Sequence, residues 1–256
     1  MRLTGFQDRL AVVTGASGGI GRAVVRALVE AGAKVVATDT IAALEAAPVP
    51  GVPNRVLDVR DGAAAQALIA EAETEFGPLA LGVHAAGVLA IGPLLDLDPH
   101  EWEGVIGVNT TGTFNVTRAF GQAMARHGQG AIVAVSSNAA GIPRLNMGAY
   151  AASKAAATML IRCLGLELAA RGVRCNIVAP GSTLTPMQTG MWAEDGGAGE
   201  RAVIEGSLAA YRTGIPLKKL ATPEDIAASV MFLLSDQAGH VTMADLYVDG
   251  GATLRA

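Results

Sequence analysis

Leu10-Ala11-Val12-Val13-Thr14-Gly15-Ala16-Ser17-Gly18-Gly19-Ile20-Gly21-Arg22 decides the fold of this chain. A β-branched apolar run reads as a buried strand, and the glycines after it permit a tight turn. A helical stretch then continues through Arg22 to Ala31. Free N–H groups at a helix start, with about half a positive charge from the helix dipole, point at an anion such as a pyrophosphate. In a chain with 32 glycines such a cluster could be only a turn. Asp39, 18 residues beyond Gly21 at the end of the next apolar run, turns the reading to dinucleotide binding. Gly15, Ser17, Gly19, Ile20 and Gly21 are the expected phosphate-side residues.

Working outward, β-branched runs over 10–14, 34–38, 54–58, 80–84, 131–136, 173–178 and 246–248 alternate with helical stretches. Val24, Leu28 and Gly32 share one helical face, as do Leu68, Ala72 and Phe76. Continuous apolar strands alternating with helices predict a parallel α/β sheet covered on both faces. The expected fold is a single-domain, doubly wound Rossmann sheet of about seven strands, with ligands at the carboxyl ends. No repeat or linker divides residues 1–256. The irregular stretch 184–219, with Glu194-Asp195-Gly196-Gly197-Ala198-Gly199 inside it, predicts a substrate lid hinged at the glycines.

Composition excludes other classes. With 51% hydrophobic and 16% charged residues the chain is not disordered, and a net charge of −4 offers no broad positive field to nucleic acid or a membrane surface. The charge-free run 76–95 is broken by Gly77, Pro78, Gly82, Gly87, Gly92 and Pro93, so it reads as strand and loop rather than a membrane span. Cys163 and Cys175 have no His/Cys cluster near them, so no metal is expected and both read as small buried hydrophobes. Met1-Arg2-Leu3-Thr4-Gly5-Phe6 lacks a secretory apolar stretch, which points to reduced thiols and a cytoplasmic location.

Asp39 also bears on which dinucleotide binds. Its carboxylate can accept both ribose hydroxyls of the adenosine half, although a simple turn aspartate would look the same. A 2′-phosphate ~4 Å away would be repelled by up to about 4 kcal/mol at an effective dielectric of about 20. No Arg or Lys stands at 16–18 or 40 to offset this, so NAD is expected over NADP.

Tyr150 and Lys154 stand four apart in a helical run, which places both on one face. A cation beside a phenol lowers its pKa from about 10, making a base available near neutral pH. Alone, this pair is common on helix surfaces. Ser137, just past the strand Ile132-Val133-Ala134-Val135-Ser136, would sit at the ligand edge of the sheet.

With these residues in place the sequence resembles the short-chain dehydrogenase/reductase family. The glycine pattern, Asp58-Val59, Ala85-Ala86-Gly87, Asn109, Ser137, Tyr150, Lys154, Pro180-Gly181 and Val248-Asp249-Gly250-Gly251 follow that family's order over essentially the whole chain. The resemblance implies that Tyr150 is the general acid/base, that Ser137 hydrogen-bonds the reacting oxygen and that Lys154 also holds the nicotinamide ribose. It implies that Asn109 orders a water relaying protons to that lysine. Asp58 and Val59 would border the adenine, Ala86 and Gly87 the cofactor, and Pro180, Gly181 and Thr183 its nicotinamide side. It also implies a homotetramer, or a dimer, paired through helices at 102–126 and 153–171 with Ala155, Ala156, Ala157 and Gly165 allowing close approach. His84 departs from the pattern by standing where the family carries Asn, and it reads as a structural tie.

Within the family, 143–150, 180–188, 240–245 and 251–254 resemble the 2,3-dihydro-2,3-dihydroxybenzoate dehydrogenases of catecholate siderophore pathways. That resemblance implies oxidation of a ring hydroxyl of a carboxylated cyclohexadiene, followed by enolisation to a catechol. Arg144 is the nearest cation for the carboxylate, with Met147 and Gln188, and also Met191 and Trp192, as ring contacts. Three alternatives stay open: a 2,3-dihydro-3-hydroxyanthranilate dehydrogenase, a 3-oxoacyl-carrier-protein ketoreductase, and a catalytically silent dinucleotide-binding regulator.

Overall fold

A computed structural model of the chain describes residues 2–190, 192 and 198–254. Seven strands, β1 (Leu10–Thr14), β2 (Lys34–Asp39), β3 (Asn54–Val56), β4 (Leu79–His84), β5 (Gly130–Val135), β6 (Val173–Pro180) and β7 (Asp245–Val248), form one sheet in the order β3-β2-β1-β4-β5-β6-β7. Every pairing is parallel. This is the doubly wound architecture that the alternating runs predict. Strand order reverses between β1 and β4, and the crevice opened there at the carboxyl edge positions the site.

Helices α1 (Gly19–Glu30), α2 (Ile41–Ala46), α3 (Gly62–Phe76), α4 (Pro99–Ile106), α5 (Gly112–His127), α6 (Gly148–Ala169), α7 (Pro186–Thr189), α8 (Ala198–Glu205) and α9 (Pro223–Leu234) complete the chain's regular elements among the described residues. Alternate residues of each strand serve opposite layers. Ala11, Val13 and Val133 pack with Val24 and Leu28 of α1 and with Ile226 and Val230 of α9. Leu10, Val12 and Ile132 face Leu68 of α3, Phe120 of α5 and Ile161 of α6. The period of two along a strand sends successive side chains to opposite faces, so two cores form from one run of apolar residues. Local signals fix the helix starts: Asp61 accepts from the N–H groups of Ala63 and Ala64, and Thr222 and Asp225 close a reciprocal cap behind Pro223.

Several sequence expectations are corrected. The helix expected over 102–126 is two helices joined by a π turn at Gly107–Thr111. The threonine hydroxyls there bond back to the chain: Thr113 donates to the Asn109 carbonyl at 2.6 Å, a competition with the regular ladder that periodicity does not register. Gly32 lies beyond α1 in a left-handed turn (φ +84°) rather than on its face. Ala157 is buried, and a Cβ on Gly165 would meet Met243 and Cys175. Both therefore face the sheet, leaving Ala155 and Ala156 outward. Cys163 is exposed on α6 and only Cys175 is buried; burial pushes the Cys175 thiol up to about 12. In the expected lid, Gly199 belongs to the first turn of α8, where a Cβ would strike Trp192. The rest of the hinge, 194–197, and Met191 lie outside the described residues. Among those residues, no helix is long and apolar enough to cross a membrane.

Candidate active site

The glycine turn closes on itself tightly. Gly15 adopts φ +67°, and a Cβ there would sit 2.5 Å from the Ala86 amide nitrogen, so the loop after β1 is pressed against the loop after β4. A Cβ on Gly21 would lie 2.1 Å from the Gly15 carbonyl oxygen. A methyl group at either position would collide with backbone and force the turn open. The Ser17 hydroxyl oxygen in this loop is buried with no hydrogen-bond partner, a polar atom that lacks a ligand. Asp39 ends β2 directly beside it: one carboxylate oxygen accepts from the Ser17 amide at 2.9 Å and the other from the Thr40 amide at 2.9 Å. Gly19 and Ile20 open α1, and the stretch after β6 leans on them, since a Cβ on Gly19 would lie 2.8 Å from the Thr185 methyl group.

Asp58 and Val59, the residues expected beside the adenine, follow β3. The Asp58 carboxylate accepts from the Arg60 backbone amide and guanidinium, and that guanidinium holds the carboxyl below its usual range. Val59 is buried against Gly112 at the start of α5, so its side chain serves the core.

Ser137, Tyr150 and Lys154 converge at the carboxyl end of β5. The Ser137 hydroxyl oxygen caps a short helical turn by accepting from the Ala139 amide at 3.1 Å, which leaves its proton to donate to another oxygen. Tyr150 lies in the first turn of α6, and Lys154 follows one turn later with its ammonium 5.8 Å from the tyrosine ring centroid. That ammonium donates to the Val135 carbonyl at 3.0 Å. Burial pulls the lysine down to about 8. The expected lowering of the phenol is not what the structure shows: burial raises Tyr150 above its ordinary 10, opposed only in part by a hydrogen bond with Ser137. The lysine sits over the ring and spends a proton on a backbone carbonyl, so desolvation outweighs its charge at the phenol.

Asn109 is fully buried in the π turn, and its side chain works as a clamp. Its amide oxygen accepts from the Val88 N–H, and its amide nitrogen donates to the Val88 carbonyl and the Ser153 hydroxyl, each at 2.9 Å. Ser153 in turn donates to the Tyr150 carbonyl at 2.7 Å, which ties the loop after β4 to the catalytic helix. Gly87 is the point where the groups meet, because a Cβ there would lie 3.2 Å from the Lys154 nitrogen and 3.3 Å from the Asn109 oxygen.

His84 ends β4 and is the tie that the sequence predicts. One ring nitrogen shares a hydrogen bond with the Thr14 hydroxyl across the β1–β4 pairing at 2.8 Å, and the other is buried without a partner. Burial, aided by the Lys154 charge, pulls the imidazole down to about 3. Its folded pKa lies below the 6.5 of the unfolded chain, so the unfolded chain takes up the proton first as pH falls. Stability is unaffected above pH 6.5 and is lost by about 1.4 kcal/mol per pH unit as pH falls from 6.5 towards 3. His84→Asn should flatten this acid slope, which urea midpoints at pH 7, 5.5 and 4.5 would measure. An unchanged slope would place the acid lability elsewhere.

On the substrate side, Pro180 ends β6 and the Gly181 amide donates to the Val248 carbonyl at 3.0 Å. Thr183 is buried and its hydroxyl donates to the Gly181 carbonyl. Arg144 and Met147 occupy the loop before Tyr150, where Met147 pairs with Gly92 and immediately precedes α6. Gln188 lies in α7, half-buried, and Trp192 follows it. Spacing in the sequence does not reveal Asp249. Its carboxylate accepts from the Gly251 and Thr253 amides and from the Asn138 side chain, joining the end of β7 to the residue after Ser137. The available signal is an aspartate set between the last strand and two glycines.

A family model described as enoyl-(acyl carrier protein) reductase matches residues 15–253. A 2,3-dihydro-2,3-dihydroxybenzoate dehydrogenase of Bacillus subtilis is 49% identical, covering 99% of this chain and 99% of that protein. A vibriobactin-specific 2,3-dihydro-2,3-dihydroxybenzoate dehydrogenase of Vibrio cholerae is 40% identical over 95% of each chain. Among solved structures, the ligand-free aldohexose dehydrogenase of Thermoplasma acidophilum superimposes with a TM-score of 0.88 at 29% identity, covering 100% of this chain and 98% of that one.

Proposed function

The chain belongs to the short-chain dehydrogenase/reductase family, and on that premise we propose that it oxidises 2,3-dihydro-2,3-dihydroxybenzoate to 2,3-dihydroxybenzoate with NAD, in siderophore biosynthesis. The observation that carries the reading is the convergence of Ser137, Tyr150 and Lys154 beside the glycine cradle, in a chain alike over its full length to dehydrogenases of that diol. Membership implies a nicotinamide dinucleotide, and the cradle fits one: its glycines let the turn close tightly at the start of α1, and the buried Ser17 hydroxyl lacks a partner.

Bound NAD supplies the acceptor for the hydride leaving the carbinol carbon. Gly15, Ser17, Gly19, Ile20 and Gly21 hold the pyrophosphate side. Asp39, fixed by the Ser17 and Thr40 amides, takes the adenosine ribose hydroxyls and repels a 2′-phosphate, which favours NAD over NADP. Asp58 and Val59 border the adenine through their backbone; Ala86, Gly87, Pro180, Gly181 and Thr183 line the nicotinamide side. Ser137 donates its free proton to the ring oxygen, and Tyr150 takes the proton from that hydroxyl. Lys154 supports the phenolate with its charge and reaches the ribose, while Asn109 clamps the loop that shapes this corner and, as family membership implies, orders a water that relays protons to the lysine. The dihydro ketone so formed enolises to the catechol, and aromaticity drives the oxidation forward.

Arg144 takes the substrate carboxylate, with Met147 and Gln188 against the ring and 184–219 closing over it. Arg144→Ala should raise the Michaelis constant for the carboxylated diol roughly tenfold or more, in line with loss of a charge-assisted hydrogen bond. An unchanged constant would remove Arg144 from the site. The assembly is a homotetramer paired through α5 and α6, which expose Phe114, Met159 and Leu166 and between which Phe114, Leu160 and Leu164 line a groove of about 440 Å³. The site suits an enzyme acting on a small molecule in the cytoplasm.

The test is an NADH-absorbance assay with NAD and NADP on a panel of cyclohexadiene diols and amino alcohols, each with and without a carboxylate. Fastest turnover of the carboxylated diol with NAD is the expected result. Preference for the amino alcohol or for an acyl-carrier substrate would replace the assignment, and no turnover of any would leave a dinucleotide-binding protein without catalysis.

A further inference from the structure

We propose that Arg212, on the far side of the lid, is a second carboxylate-binding residue that closes with Arg144 on the acid group of the substrate; this rests on the carboxylated-diol reading above.

The turn carrying Arg212 is not free to wander. The Ser207 and Arg212 backbones pair with each other at 2.9 Å in both directions, and glycines at 206 and 214, both at positive φ, let the two ends of the turn touch. The segment after it docks on the loop beyond β7: the Thr213 hydroxyl donates to the Ala252 carbonyl at 3.1 Å, and the Leu217 amide donates to the Gly250 carbonyl at 3.2 Å. That same loop begins with Asp249, which is held by the Asn138 side chain next to Ser137. A path of contacts therefore links the segment that follows Arg212, through the loop beyond β7, to the residue next to Ser137.

Charge completes the case. Arg144 and Arg212 are both half-buried, and among the described residues neither guanidinium forms an ion pair or donates a hydrogen bond. The Arg144 guanidinium is held below its ordinary pKa, first by burial and then by the Arg212 charge, with Asp249 opposing. Asp249, held by the Gly251 and Thr253 amides and by Asn138, brings one negative charge against the two guanidiniums. Two guanidiniums and one committed carboxylate leave a net positive charge in a partly desolvated place, and a ligand carboxylate is the group that balances it.

The experiment compares wild type, Arg212→Gln and Arg212→Lys on 2,3-dihydro-2,3-dihydroxybenzoate and on the same diol without the carboxylate, with benzoate binding to the NADH-loaded protein read by fluorescence. The preference in kcat/KM for the carboxylated diol should fall about tenfold to a hundredfold in Arg212→Gln and recover in part in Arg212→Lys. A parallel loss on both diols, with preference intact, would make Arg212 a packing residue of the lid and overturn the proposal, as would an unchanged preference. If wild type oxidises neither diol, the proposed reaction fails, and benzoate still decides the site. Binding to wild type that is lost in Arg212→Gln upholds the carboxylate clamp, and no binding, or equal binding, overturns it.

Discussion

Tyr150→Phe should lower turnover by about 10² to 10⁴ while NADH binds as in the wild type, because on the proposed mechanism the substitution removes the hydroxyl that accepts the proton. The ring stays in place, half-buried in the first turn of α6, so the fold keeps its packing. A second signature follows from the environment of the phenol. Burial holds it above 10, so the fraction able to accept a proton grows as pH rises through the accessible range. Wild-type oxidation should accelerate with pH, and the residual rate of the variant should lose that dependence. Steady-state rates from pH 6 to 10, together with an NADH fluorescence titration, test both parts. Full activity in Tyr150→Phe would refute the assigned base.

Gly21→Ala is the second large effect. The added Cβ would fall 2.1 Å from the Gly15 carbonyl oxygen and 2.9 Å from the Ala16 Cα, both backbone atoms with nowhere to retreat, since Gly15 is already pressed on Ala86. Overpacking of this kind costs about 1–3 kcal/mol, and here the strain falls on the loop that must hold the phosphates. The variant should show a lowered melting temperature and little NADH affinity. Melting temperature by scanning fluorimetry and affinity by titration separate the two. Retained affinity would show that the phosphates lie elsewhere.

Both effects trace to residues that are legible before any coordinates. The strand-turn-helix at 10–31 and the Tyr150-Lys154 spacing are local patterns, set by backbone sterics and helical period within a dozen residues. The seven strands are legible for the same reason: buried parallel strands are continuous apolar runs, and only their ends shift by one or two residues, as at Asn54–Val56.

What the residues determine on their own is thus the layered sheet, the glycine turn, the acid at the end of β2 and the grouping of Ser137, Tyr150 and Lys154, since each is a short-range pattern or a family order. Tertiary structure alone decides the rest. It sets the direction of the Tyr150 and Lys154 shifts, because desolvation depends on which distant segments exclude water. It spends the side chain of Asn109 on Val88 and Ser153, and the carboxylate of Asp249 on Asn138, through contacts across 21, 44 and 111 positions. It brings Arg212 towards Arg144 because a docked loop, rather than sequence proximity, fixes where two charges meet.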